Sequence, residues 1–186
     1  APVFSMSKLI GVDTYLGPEM KSTGEVMGID HTFDAALAKA LQAAGLILQP
    51  KGAILFSIAD RDKPEALPLI RKFSEIGFKL YATEGTAAMI EAVGLPVTMI
   101  SKKLSEGHPN VIDIINDNTV GGIVNTITGG RVPLRDGFRI RRAPAERRIP
   151  CFTSLDTIQA ALRVLLSGSQ IYSVKPIPDY RRKGPD

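Results

Sequence analysis

The sequence predicts an α/β protein with a mostly parallel sheet, and three observations support this fold class. From residue 52 onward, short apolar runs alternate with segments whose apolar residues recur at helical spacing. Glycine or proline stands between most of these segments, as is typical of connections in βαβ units. Residues 53–58 are almost entirely apolar, which is typical of a strand buried on both faces.

Before this domain, the first 48 residues are predicted to hold three elements. Residues 2–5 indicate a short strand, and residues 11–27 an ordered loop or a docking segment, because their glycines and proline follow no period. Thr32 is a good N-cap for a helix through residue 44, and Gly45 is a good terminator. These elements are too few for a core of their own, so the helix needs a partner, either the following domain or absent chain. The chain begins without methionine, and we expect its start to lie inside a longer protein.

The domain itself is predicted to follow in strict alternation. The expected strands are residues 53–58, 78–82, 97–100, 122–126 and 150–152, with 171–174 as a candidate last strand. The expected helices are 62 or 63 to 76, 86–93, 109–117, 137–147 as a short helix or turn, and 154–166. Pro68 predicts an irregular first turn or a bend in the first of these helices. The tail from residue 175 contains three prolines and is predicted to be extended.

Composition excludes several classes of site. The net charge of +4 is mild, and the arginine-rich stretches lack interleaved aromatics, so nucleic-acid binding is not expected. A single cysteine rules out an intrachain disulfide or a thiolate metal cluster, and two histidines rule out a His-rich metal site. No apolar run approaches the ~18 residues of a membrane helix, and no secretory signal pattern opens the chain. We therefore expect a cytoplasmic chain without membrane contact.

The loops after the predicted strands indicate a phosphate site, because ligands of open α/β sheets bind outside the carboxyl ends of the strands. Hydroxyls, a glycine and the unpaired N–H groups of a helix start can meet one anion there. Singly, these residues are explained as helix caps or solvated lysines, but together they predict phosphate binding. The donors and cations in these loops are Lys63, Thr83, Gly85, Thr86, Lys102, Lys103, Asn125, Thr126 and Thr128.

Catalytic interpretations are weaker. Cys151 has no histidine near it in sequence and is better explained as a small buried residue on a strand. Asp60, Asp62 and Asp113 could act as acid–base groups, but helix capping and ion pairing explain them more simply. His108 could line the site or be an ordinary exposed histidine. Neither a P-loop nor a G-x-G-x-x-G motif is present.

A longer pattern resembles a known family. Residues 16–28, LGPEMKSTGEVMG, resemble the end of the second synthetase half of the carbamoyl phosphate synthetase large chain. The rest of the chain resembles that family's carboxy-terminal regulatory domain, which has the methylglyoxal-synthase-like, Rossmann-like fold. Its marks are SIADRDK (57–63), YATEGT (81–86), KLSEGHPN (103–110), VNT (124–126), IRR (140–142) and FTS (152–154). The resemblance divides the chain into residues 1–48, the end of the ATP-grasp half with a linking helix, residues 49–174, the regulatory domain, and residues 175–186, the tail.

The resemblance implies an allosteric domain whose chemistry is done elsewhere in a longer chain. The family is an ATP-dependent ligase that makes carbamoyl phosphate from bicarbonate, glutamine-derived ammonia and ATP, for pyrimidine or arginine synthesis. The implied parent uses ATP with Mg or Mn, while this stretch is expected to hold no cofactor and no activity alone. The implied partners are a nucleotide or other phosphate effector, the rest of the large chain, a glutaminase small chain and further copies in a homo-oligomer.

The family's effector positions can be placed by motif. They fall on Lys63, Thr83, Thr86, Lys103 and Asn125, to which the loop analysis adds Gly85 and Thr128, and an ornithine contact falls on Thr153. Two positions depart from the bacterial pattern. Ile127 replaces a threonine, which weighs against uridylate unless Thr128 compensates, and Cys151 replaces a tyrosine, which weighs against ornithine.

Two alternatives share the fold. A methylglyoxal synthase-type lyase would need a Gly-Gly-Asp loop after the third strand and a later histidine, and residues 106–110 read EGHPN with no histidine after position 108. A purely structural domain would assemble large chains and bind no effector. The sequence leaves open the effector, the sign of regulation, the pathway and the choice between Lys102 and Lys103.

Overall fold

The computed structural model describes residues 1–8, 11–14, 16, 18–102, 108–127, 135–168 and 173–181, the first three of the 135–168 range by their backbone alone. Two short strands near the start, β1 (Pro2–Val3) and β2 (Gly24–Glu25), pair antiparallel. The domain is built on a five-stranded parallel sheet, which confirms the predicted fold class. Its strands are β3 (Ala53–Ser57), β4 (Lys79–Thr83), β5 (Thr98–Ile100), β6 (Gly122–Asn125) and β7 (Cys151–Phe152).

Six α-helices are described along the chain. They are α1 (Phe33–Ala43), α2 (Lys63–Glu75), α3 (Glu84–Glu91), α4 (Val111–Asn116), α5 (Arg135–Arg147) and α6 (Leu155–Ser167). Thr32 caps α1 as predicted, because its hydroxyl accepts from the Ala35 N–H at 3.3 Å. A 3-10 turn, Asp60–Asp62, precedes α2, which then runs through Pro68 without interruption.

Strand order places the crevice of the sheet. The strands lie in the order β5-β4-β3-β6-β7, so the chain winds outward from β3 to β5 and then returns to the other side of β3. The winding direction therefore reverses between β3 and β6. In open α/β sheets, the carboxyl ends of the two strands at such a switch point border the ligand crevice.

The sheet is covered on both faces, as its apolar strands predict. One face, which carries Phe56 and Val124, packs against residues of α2, α3 and α6. The other face, which carries Leu55 and Ile123, packs against α4 and α5. Helix α1 joins the first of these clusters by packing on α6, so its partner surface lies within this chain.

Several predicted elements need correction. Residues 24–25 belong to β2 rather than to a loop, because Thr23 and Val26 donate backbone hydrogen bonds to Val3 and Ala1. Helix α3 begins at Glu84, two residues before the predicted start, which brings Gly85 into its first turn. The tail is not simply extended, since Ile177–Arg181 forms a 3-10 helix.

The end of the described chain is fastened to α1. Lys39 of α1 lies 2.8 Å from the Asp30 carboxylate and donates to the Tyr180 hydroxyl at 3.0 Å. Residues 173 and 174 form no strand, and the rest of the predicted strand at 171–174 falls outside the described residues. Among the helices in the described ranges, none is long and apolar enough to cross a membrane.

Candidate functional site

Three polar side chains lie side by side where β3, β4 and β6 end. We call Ser57, Thr83 and Asn125 the polar row. They are 4%, 5% and 3% exposed, in strands whose other buried residues are apolar. Ser57 and Asn125 are register partners, and the Thr83 hydroxyl donates to Ser57 Oγ at 3.4 Å. Burying polar groups costs free energy unless they are bonded, so three of them at the ends of β3, β6 and the adjacent β4 indicate a site for a polar ligand.

Two further threonines brace the loop after β3. Thr86 Oγ1 accepts from the Ile58 N–H at 3.0 Å, and Thr126 Oγ1 accepts from the Ala59 N–H at 2.8 Å. Thr86 is therefore not a helix cap, which was its simplest interpretation from sequence. A hydroxyl that accepts one bond still has its own proton to donate. Both threonines can thus hold the loop and also donate to a ligand.

A cation lies at the start of α3. The Lys63 Nζ atom is 3.3 Å from the point that a Cβ on Gly85 would occupy, in the first turn of the helix. Thr83 is the N-cap residue, and its side chain makes no capping hydrogen bond. The N–H groups of a first helical turn carry partial positive charge, so an ammonium beside them makes a position that attracts anions.

Asp60 currently balances the Lys63 charge. Its Oδ1 atom lies 2.7 Å from Lys63 Nζ, and this hydrogen bond lowers the pKa of Asp60 below its usual value. The Asp60 side chain is 93% exposed, whereas that of Lys63 is 23% exposed. An ammonium has three donors, so this single acceptor leaves donors for a ligand.

Two contacts draw neighbouring loops toward the polar row. Arg61 donates to the carbonyl of Ile127 at 3.0 Å and joins the loops after β3 and β6. The backbone N–H of Lys102 donates to the Glu84 carboxylate at 3.0 Å, and so joins the loop after β5 to the start of α3. The loops that follow three different strands thus meet at one edge of the sheet.

The remaining predicted residues fall into two groups. Lys103 and Thr128 lie outside the described residues. Thr153 is half-buried. It follows β7, which is separated from β3 by β6, so it lies beyond the end of the polar row. The structure therefore unites Lys63, Thr83, Gly85, Thr86 and Asn125.

His108 makes a contact of its own rather than joining the polar row. Its Nδ1 atom lies 2.5 Å from the Asp113 carboxylate, which also accepts from the Asn110 N–H at 2.9 Å in a capping box at the start of α4. These two bonds, led by the one from Asn110, lower the pKa of Asp113. The simpler interpretation of Asp113 from sequence, a helix-capping residue, agrees with this geometry.

Cys151 does not have the character of a nucleophile. Burial raises the pKa of its thiol to about 12, and the charge of nearby Arg141 opposes this only partly. The reactive thiolate is therefore scarce near neutral pH. Cys151 lies on strand β7, as the sequence interpretation of a small buried strand residue expected, but its surface is only partly buried.

Two arginines of α5 are buried, which the sequence did not predict. Arg141, 4% exposed, donates through Nε to Asp13 at 2.8 Å, makes a second bond to the same carboxylate, and donates to Asn125 Oδ1 at 3.3 Å. Arg142, 8% exposed, donates to the Met6 carbonyl at 2.6 Å and to Glu146 at 3.0 Å. Both stand in the family motif IRR (140–142), but their contacts with Asp13 and Met6 join residues more than a hundred positions apart, so no local pattern predicted them.

A groove of about 390 Å³ lies between α4 and α5, apart from the polar row. Its polar lining includes Asp113, Arg142 and Glu146, and none of the polar row residues lines it. Asp113 is bonded to His108, and Arg142 to Glu146, so much of its charge is already neutralised. The strand ends are therefore the stronger candidate for function.

Comparison with known proteins fits this geometry. Residues 65–153 match the family described as MGS-like domain. The chain contains an MGS-like domain. It is also 51% identical over 183 residues, 98% of its length, to the carbamoyl phosphate synthase large chain of Thermomicrobium roseum (strain ATCC 27502 / DSM 5159 / P-2). It spans 17% of the length of that relative. Both findings confirm the family resemblance inferred from the motifs, and the parallel sheet is that expected of an MGS-like domain.

Proposed function

We propose that this MGS-like domain is a regulatory domain of a carbamoyl phosphate synthase large chain and binds a phosphate-bearing effector at the polar row. The observation that carries the proposal is the meeting of Lys63, the first turn of α3 and Thr83 at the crevice of the sheet. An ammonium, helix N–H groups and hydroxyls are the donors that phosphate oxygens accept from. Asn125 at the far end of the row would meet the part of the effector beyond the phosphate.

The proposal assigns the chemistry to the parent chain. That parent would be an ATP-dependent ligase using Mg or Mn, would make carbamoyl phosphate for pyrimidine or arginine synthesis in the cytoplasm, and would work with a glutaminase small chain in a homo-oligomer. The effector would act by binding two states of the parent with different affinity, a coupling that is typically about 1–3 kcal/mol. Lys103 and Thr128 would add phosphate contacts, and Thr153 would serve a neighbouring ornithine site.

Calorimetric titration of the chain tests the site. The ligands are uridine monophosphate, inosine monophosphate, phosphoribosyl pyrophosphate and ornithine. Thr83→Val removes one hydroxyl without changing the side-chain shape, and Thr98→Val makes the same change at an exposed position of the neighbouring strand β5. We expect Thr83→Val to weaken binding of the phosphate ligands about tenfold and Thr98→Val to leave it unchanged. Equal affinities for the two variants would remove Thr83 from the site.

The cation is tested in the same way. Lys63→Met removes the ammonium next to Gly85, whereas Lys72→Met removes an exposed lysine from the same helix. We expect binding to be lost or to fall at least about tenfold in Lys63→Met alone. Absence of binding to every ligand by the unmodified chain would favour a domain that only assembles the parent. Turnover of dihydroxyacetone phosphate would instead indicate a methylglyoxal synthase-type lyase.

A further inference from the structure

The side chain of Asn125 lies between the candidate site and a buried cation. Its carboxamide has an accepting end, Oδ1, and a donating end, Nδ2. The two ends have nearly the same shape, so the neighbours of an asparagine decide which end points where. Asn125 is 3% exposed at the carboxyl end of β6, and Arg141 is the neighbour that reaches it, at 3.3 Å.

Arginine settles this orientation by its chemistry. A guanidinium has five donors and no acceptor, and it stays protonated in proteins. The end of Asn125 that meets Arg141 must therefore be Oδ1. The donating end is then left for whatever lies on the other side. Among the described residues, every side-chain nitrogen or oxygen that is fully enclosed has a hydrogen-bond partner. No described residue accepts a hydrogen bond from Asn125 Nδ2. The Nδ2 group is therefore not fully enclosed in the core.

Arg141 is itself held in place by the N-terminal segment, which we define as residues 1–8 and 11–14. Both oxygens of the Asp13 carboxylate accept from Arg141, and the Thr14 hydroxyl donates to the Arg141 carbonyl at 3.4 Å. A two-point pair between a guanidinium and a carboxylate fixes the plane of the guanidinium. The donor that faces Asn125 is therefore aimed by a residue more than a hundred positions earlier in the chain.

We propose that Arg141 is a specificity-determining positioning residue, which turns the Asn125 amide so that Nδ2 donates to the ligand, and that Asp13 couples this orientation to the N-terminal segment. The inference rests on the proposed effector site and deepens it. It makes this end of the site select a hydrogen-bond acceptor, such as a phosphate, ribose or base carbonyl oxygen, and reject a donor. It also couples effector binding to the position of Asp13. By reciprocity, effector binding favours the observed position of Asp13, and this position of Asp13 favours effector binding.

Arg142 provides a matched control. It is the next residue of α5, is also buried, and also ties the helix to the N-terminal segment, through the Met6 carbonyl. No contact joins it to Asn125 among the described hydrogen bonds, so Arg142→Lys should perturb packing much as Arg141→Lys does without touching the amide. The test compares the two variants in the 186-residue chain.

The first measurement is calorimetric titration with uridine monophosphate and with inorganic phosphate. We expect Arg141→Lys to weaken binding of uridine monophosphate about tenfold, and Asp13→Asn about threefold, because the amide is no longer held. Arg142→Lys should stay within about twofold of the unmodified chain, as expected for residues that share no partner with the site. In a chain that already carries Asn125→Ala, Arg141→Lys should have no further effect, since its target is gone. Full additivity of these two substitutions would overturn the proposal, since Arg141 would then act by another route.

The second measurement needs no ligand. The side-chain ¹⁵N–¹H signals of Asn125 should move in Arg141→Lys and in Asp13→Asn and stay in place in Arg142→Lys. Unmoved signals in Arg141→Lys would overturn the orientation assigned to the amide, whether or not a ligand binds. Loss of phosphate binding by the unmodified chain, with these signals still moving as expected, would instead overturn the proposed effector site alone.

Discussion

On one face of the sheet, the polar row lies only two residues beyond Leu55, Tyr81 and Ile123 on the same three strands. Leu55 and Ile123 are fully buried among apolar side chains of α4 and α5, and Tyr81 packs against the same cluster. The polar row is almost as well buried, but its atoms hydrogen-bond instead of packing against apolar groups. Similar burial therefore has two consequences: it stabilises the strand interiors, whereas at the carboxyl ends it positions the polar groups that we propose bind the effector.

The largest effect should come from the strand interior. Ile123→Ala removes a fully buried side chain from β6 and leaves a cavity between the sheet, α4 and α5. We expect the free energy of unfolding to fall by about 2–5 kcal/mol, as measured by urea denaturation. Uridine monophosphate affinity of the folded fraction should change little. A loss below about 1 kcal/mol would contradict the role given to the strand interior.

Ser57→Ala makes the corresponding change in the polar row. Its oxygen accepts from the Thr83 hydroxyl, and the change removes a single atom. We expect uridine monophosphate affinity to fall about tenfold and the free energy of unfolding to change by at most about 1 kcal/mol. Titration and urea denaturation of the same samples compare the two quantities. If stability fell as it does in Ile123→Ala while affinity held, the distinction between strand interior and polar row would fail.

Gly85→Ala should move stability and binding in opposite directions. The new Cβ would lie 3.3 Å from Lys63 Nζ, so the ammonium must shift away from the first turn of α3. Alanine also reduces the freedom of the unfolded chain and should stabilise the fold by about 0.4–1 kcal/mol. We expect a higher midpoint in urea together with weaker phosphate binding.

The Gly85 prediction has its own control. In a chain carrying Lys63→Met, the ammonium is already absent, so Gly85→Ala should no longer weaken binding while still raising the urea midpoint. Weakening of similar size in both backgrounds would show that the new methyl group obstructs the ligand directly and that displacement of Lys63 is not the cause.

The features that the sequence predicted depend on residues that are close together in the chain. The strand β3, the helix α1 and the parallel sheet follow from periodicity and caps, which involve residues close together in the chain. The grouping of Lys63, Thr83 and Asn125 followed from a general property of such sheets, that ligands lie at the carboxyl ends of strands.

The features that the sequence did not predict depend on distant contacts. Asp13 and Arg141 are 128 residues apart, and neither position has a local pattern that names the other. Ser57 was not predicted as a site residue, because a serine at the end of an apolar run resembles an ordinary strand residue. Its place in the polar row became visible only from its contact with Thr83. The pairing of β1 with β2 was not predicted either, because each strand is only two residues long and therefore shows no periodic pattern.

The smallest predicted effect lies outside the polar row, at the start of α4. The Asn110 N–H and His108 hold the pKa of Asp113 below its usual value, so its ionised form stabilises the folded chain. That contribution is complete above the usual carboxyl pKa of about 4, and it is lost as the pH falls through the lowered pKa of the folded state. Asp113→Asn should therefore make the urea midpoint fall less steeply as the pH is lowered, whereas Asp117→Asn, an exposed change just after the same helix, should not.

Phosphate affinity at pH 7 should be the same in both variants, because the capping box of α4 shares no hydrogen bond with Ser57, Thr83 or Asn125 among the described residues. A weaker affinity in Asp113→Asn would mean that α4 takes part in recognition, and the boundary drawn between stability and binding would have to include it.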